Sequence, residues 1–187
     1  MTEHRTPPED RQRLLAVYLN DHYAGATAGR ARFARAARSH RGTDAGTVLA
    51  RLSEEVAEDR RTLLATMRAV DVEPERGLQA VGRVVEAAGA LKGNGRLVRR
   101  SPLSSVVELE LLHLGVLGKA AVWRALRELA LDDERLDADA LQELVQRAER
   151  QAAELEHLRR SAVVEALGTG RGGVHGGGPT AVPPQAG

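Results

Sequence analysis

Two Glu-x-x-His pairs are the first residues in this chain that could do chemistry: Glu110–His113 and Glu154–His157. Spacing of three puts a carboxylate and an imidazole on one helix face, as di-iron carboxylate proteins require. Those proteins also need one glutamate from each of the other two helices, and the motif on alternate helices. Here both pairs fall on the last two helices. Helical-wheel placement turns all four residues toward solvent, so they are expected to be exposed and far apart. Helix 2 offers Glu55, Glu58 and Asp59 without a histidine. There is no cysteine, which excludes disulfides, thiolate zinc sites and a cysteine nucleophile. No phosphate loop, HExxH or dinucleotide glycine pattern is present.

A second set of ionisable residues falls inside the apolar arcs. His22 lies between Leu15, Tyr18, Leu19 and Ala26, and Asp59 sits among Leu52, Val56 and Leu63 with Glu55 on its flank. Glu108 and Lys119 share a side with Leu112, Val122 and Leu126. Arg159 follows Leu141, Ala148, Ala152 and Leu155. Buried charges normally have partners, because an unpaired one is costly. Lys119 is the most telling, since Lys92 is the only other lysine. The plainer alternative is that each residue sits at a rim or snorkels. For His22, Asp59, Glu108 and Lys119 together, an inner polar network is the better account. Counting turns at 1.5 Å per residue gives two expected pairs, Glu108 with Arg159 near one end and Lys119 with Asp59, near His22, at mid-bundle.

The elements that must position these residues are helices. The composition is 42% hydrophobic, 28% charged and 2% aromatic, with alanine, leucine and arginine dominant, and no strand-like alternation. Apolar spacing predicts helix 1 over 9–38, helix 2 from near Thr47 to Val70, helix 3 over 103–130, and helix 4 to Leu167. Pro7 and Pro8 precede helix 1, and Val72-Glu73-Pro74 closes helix 2. Ser101 and Asp137 or Asp139 are expected N-caps. Gly25-x-x-x-Gly29 makes a small-residue face that lets a neighbouring helix come close. A short helix over 75–91 lies in the long connection Asp71 to Pro102, and Arg96-Leu97-Val98-Arg99-Arg100 reads as a solvated basic loop.

Short turns within each helix pair and a long connection between the pairs predict an all-α, ferritin-like four-helix bundle with one crossover. Residues 1–8 and the Gly/Pro-rich 168–187 are expected to be disordered, leaving 9–167 as the bundle. No apolar run is of signal-peptide or membrane-spanning length, because Glu108, Glu110 and His113 interrupt the richest one. A cytoplasmic protein is expected.

Tyr18-Leu19-Asn20-Asp21-His22 with Ala24 to Gly29, Leu91-Lys92-Gly93-Asn94-Gly95-Arg96-Leu97, and Ser101-Pro102-Leu103-Ser104 through Glu108-Leu109-Glu110 to Gly118-Lys119 carry a resemblance. Over most of Arg11 to Ser161 the chain resembles uncharacterised actinobacterial proteins grouped loosely with the ferritin-like superfamily. The resemblance implies a bundle. The histidines and carboxylates are out of the ferritin register, so it does not imply an iron site.

The functional expectation is a metal-free, non-enzymatic structural or protein-interaction module, with Lys119 supplying the interior positive charge that a metal supplies in relatives. The alternative is a di-metal carboxylate protein, holding iron or manganese on His22, Glu55, Asp59 and Glu108. The expected partner is another protein or a second copy. A net charge of +1 and few aromatics speak against nucleic acid.

Overall fold

The computed structural model describes residues 7–75 and 102–168. These form four α-helices: α1 Pro8–Ser39, α2 Asp44–Ala69, α3 Pro102–Leu129 and α4 Ala138–Leu167. The expected short helix over 75–91, the basic loop, the Ser101 cap and the tail beyond Gly168 lie outside the described residues.

Local chemistry sets the helix ends. Pro8 opens α1, where its missing N–H would have had no helical partner. α2 starts three residues earlier than Thr47, because Thr43 caps it. The Thr43 Oγ1 accepts from the Gly46 N–H at 3.0 Å and donates to the His40 carbonyl at 2.7 Å. Asp71 ends that helix with a positive φ of 56°, and the Val72 N–H returns to the Met67 carbonyl at 2.8 Å. Asp137 caps α4, its Oδ1 accepting from the N–H groups of Asp139 and Ala140 at 3.0 Å each.

α1 packs on α2 and on α3, and α4 packs on α3 and on α2, so α1–α4 and α2–α3 are the diagonals. Side-chain contacts fix the directions. The Gln12 amide at the start of α1 donates to the Val70 carbonyl at 2.9 Å, beyond the end of α2. His40, just past α1, meets Glu108 near the start of α3 at 3.2 Å. Arg135, in the turn after α3, reaches Asp71 at 2.8 Å. α2 and α3 therefore run the same way, and every pair in contact is antiparallel.

The apolar faces meet in one core. Leu19, Leu49, Leu52, Met67, Trp123, Leu126 and Leu155 are fully buried in it. Burial of a large apolar side chain contributes about 1.5–3 kcal/mol. Among the described residues, no helix is long and apolar enough to cross a membrane.

The glycines behave differently from expectation. An added Cβ at Gly25 or Gly29 would meet nothing within 4 Å, so that face is not a close helix contact. The close approach is at Gly46, where a Cβ would stand 2.0 Å from the His40 carbonyl oxygen.

Candidate functional site

Five side chains meet where α2, α3 and α4 face one another at mid-bundle: Asp59, Glu55, Lys119, Gln151 and Arg147. Asp59 projects from the buried stripe of α2, four residues after Glu55 and four before Leu63. Its side chain is 3% exposed. The Lys119 ammonium, from the diagonal helix, donates to Asp59 Oδ2 and to the side-chain amide oxygen Oε1 of Gln151. The Gln151 amide is then oriented by its other end, which donates to Glu55 at 2.8 Å and to Asp59 Oδ2 at 3.5 Å. The other Asp59 oxygen faces Arg147 Nη2 at 2.5 Å. That contact is an ion pair too oblique for a hydrogen bond. Arg147 also lies 3.3 Å from Glu58. One turn toward the α2 start, Arg51 joins Glu55 at 2.6 Å and reaches Glu154 of α4.

This ladder fills the wide α2–α4 seam, where the backbones approach least. Toward the α2 end it opens into a cleft lined by Glu58, Thr62, Glu143, Leu144, Arg147 and Arg150. The electrostatics follow from burial and pairing. Burial holds the Lys119 ammonium below the usual lysine range, against the opposing charge of Asp59. Burial pushes the Glu55 carboxyl up, but hydrogen bonds from Gln151 and Arg51 outweigh it, and the group lies below its ordinary value.

Of the expected inward residues, Asp59, Lys119 and Glu55 come together. His22 does not join them. It is half-buried on α1, edge-on to Tyr18 with ring centroids 4.5 Å apart. Its neighbour Tyr23 faces α2, where the Tyr23 hydroxyl accepts from Arg60 at 2.6 Å. One residue, about 100° of helix, turns His22 away from that seam. Burial lowers the His22 pKa, with Asp21 opposing.

The expected Glu108–Arg159 pair does not form. Glu108 faces α1 and meets His40. Arg159 hydrogen-bonds Glu156 at 2.6 Å and lies 3.5 Å from Glu110. Glu108 and Glu110 are two residues apart, about 200° round the helix, so α4 meets the second and α1 the first. The Glu-x-x-His pairs also need correction. Glu110 and His113 line the α3–α4 seam, and the half-buried His113 lies 3.7 Å from Glu156. Glu154 serves Arg51, and only His157 is simply exposed.

The alternative metal set, His22, Glu55, Asp59 and Glu108, is thus spread over three separate neighbourhoods. Among the described residues, no three His, Asp or Glu side chains are grouped to hold a metal. Asp59, the buried carboxylate of that set, is paired with the Lys119 ammonium. Gln151 and Arg147 are cluster members that the sequence reading missed. Gln151 is 1% exposed and shares the inner line of Ala148, Ala152 and Leu155, a signal open to any count that includes neutral amides. Arg147 reaches in from the flank of α4, and no wheel position announces that.

Comparison with protein-family models, with curated proteins and with solved structures gave no match.

Proposed function

We propose that this chain is a non-enzymatic helical bundle of ferritin-like type that serves as a structural or protein-interaction module. The antiparallel arrangement of neighbours, with α2 and α3 running alike, supports the ferritin-like crossover. A closed set of internal ion pairs, in place of a reactive constellation, supports a non-catalytic interior.

The observation that carries the interaction reading is on the outside of α3. Leu103, Val107, Leu114 and Leu117 are 50, 47, 56 and 45% exposed. With Glu110 between them they follow the alternating four- and three-residue spacing of a coiled-coil seam. Val164 and Leu167, 72 and 62% exposed, end α4. The Glu110–Arg159 contact sets them level with the start of α3. Large apolar side chains left exposed along one helix face mark an interaction site. A helical partner certain to be present is a second copy of the chain.

Sedimentation equilibrium tests this. The native chain is expected to self-associate, and Leu114→Glu with Leu117→Glu to be monomeric with unchanged helicity. A native chain that stays monomeric up to high micromolar concentration sinks the reading.

A further inference from the structure

The net charge of +1 conceals an uneven distribution. From His22 to Thr43 the sequence holds no aspartate or glutamate, and it holds Arg30, Arg32, Arg35, Arg38 and Arg41. All five arginines are exposed on the C-terminal half of α1 and the turn that follows. Ion pairs among the described residues use Arg51, Arg124, Arg127, Arg135, Arg147 and Arg159, and none of these five. The core side of the same stretch is set by Phe33 and Ala36, 3 and 0% exposed. Arg35 and Arg38 then point straight outward, with Arg30 and Arg32 on the two flanks. The four span about 12 Å along the axis at 1.5 Å per residue.

We infer that this half of α1 is a binding surface for the phosphate backbone of duplex nucleic acid. Between the guanidiniums the outer surface carries Ala31 and Ser39, with Ala34 and Ala37 half-buried. No aliphatic side chain larger than alanine and no aromatic one projects there to anchor a protein partner, whose interface would need a buried apolar centre. The same lack removes the wedge needed to enter a membrane. A phosphate chain needs neither. It takes charge-assisted, often bidentate bonds from arginine. A helix with guanidiniums across its outer half can meet phosphates on both walls of a groove about as wide as itself. Contacts to phosphate carry no sequence information, so binding through them is expected to be independent of duplex sequence.

The test is fluorescence anisotropy of a labelled 20-bp mixed-sequence duplex with the full chain, from 50 to 200 mM salt. Each arginine set against a phosphate adds about 0.9 to the slope of log affinity on log salt. The variant Arg32→Gln, Arg35→Gln, Arg38→Gln is expected to lose about 2.7 of that slope, while the matching lysine variant keeps it. If the glutamine triple variant does not fold, Arg35→Gln alone should lose about 0.9. No binding at 50 mM salt, or equal slopes for the native and glutamine variants, overturns the inference. So does displacement of the duplex by poly-glutamate at matched charge concentration, which would make the partner an acidic protein. The apolar seam of α3 is on another face, so the Leu114→Glu, Leu117→Glu variant should bind the duplex through the same arginines with the same slope per protomer.

Discussion

At the scale of single residues, Asp59 is the centre of the interior, because two hydrogen-bond donors and the Arg147 guanidinium depend on it while it depends on no one of them alone. Asp59→Leu strands the Lys119 ammonium and one side of Arg147, and is expected to cost about 3–5 kcal/mol. Lys119→Met leaves Asp59 with Arg147 and Gln151, and should cost the smaller amount of a lost charged hydrogen bond, about 1.5–3 kcal/mol. In the double variant the losses should fall well short of their sum. Urea unfolding of the three variants measures this, and strict additivity would mean that the pair is not coupled. The pairing was legible in the sequence because depth and direction could both be counted from the helix ends. His22 shows the limit of that count. Its neighbour Tyr23 meets Arg60, next to Asp59, so the depth agrees with the count, but the direction does not, because α1 shares its apolar arc between two neighbours. It also gives a pH dependence. Burial depresses its folded pKa below the unfolded 6.5, so below pH 6.5 the unfolded chain binds more protons than the folded one. Stability then falls as the pH drops through 6.5 toward the folded value. His22→Gln should remove that part of the loss between pH 7 and 5.5, above the range where carboxylates titrate. An unchanged pH profile in the variant would count against it.

At the scale of elements, the glycines separate two roles that look alike in the sequence. Gly25 and Gly29 lie inside α1 with open space where a Cβ would go. Alanine at either should raise stability by about 1 kcal/mol, since glycine is the poorer helix former. Gly46 sits one turn into α2 against the backbone of the α1–α2 turn, 2.0 Å from the His40 carbonyl to an ideal Cβ. That contact is with backbone, so the turn must open. Gly46→Ala should lower stability by roughly 1–3 kcal/mol. Thermal melts of the three variants should show opposite signs, and a neutral Gly46→Ala would contradict the turn geometry. The helices themselves were readable from apolar spacing and prolines to within one to three residues. The start of α2 differs most, because the apolar stripe begins only at Leu49, whereas the cap that decides the boundary is Thr43. The seams were less readable. Arg159 chooses Glu110 over Glu108 through the rotation of α3 against α4, and that angle depends on side-chain packing across the whole contact, not on spacing within either helix.

At the scale of the whole molecule, two surfaces with different chemistry share one scaffold: an apolar seam on α3 and an arginine face on α1. If the seam joins two copies, folding and association are linked. The melting temperature should then rise with protein concentration for the native chain and stay constant for Leu114→Glu with Leu117→Glu. The direction of the helices has a consequence for the second surface. Each helix carries a macrodipole, about half a positive charge at its start and half a negative charge at its end. Because every touching pair is antiparallel, each end of the bundle gathers two positive and two negative helix termini, and the axial fields cancel. The potential that a charged partner meets on approach is therefore written by side chains alone, and on α1 that means by a handful of guanidiniums.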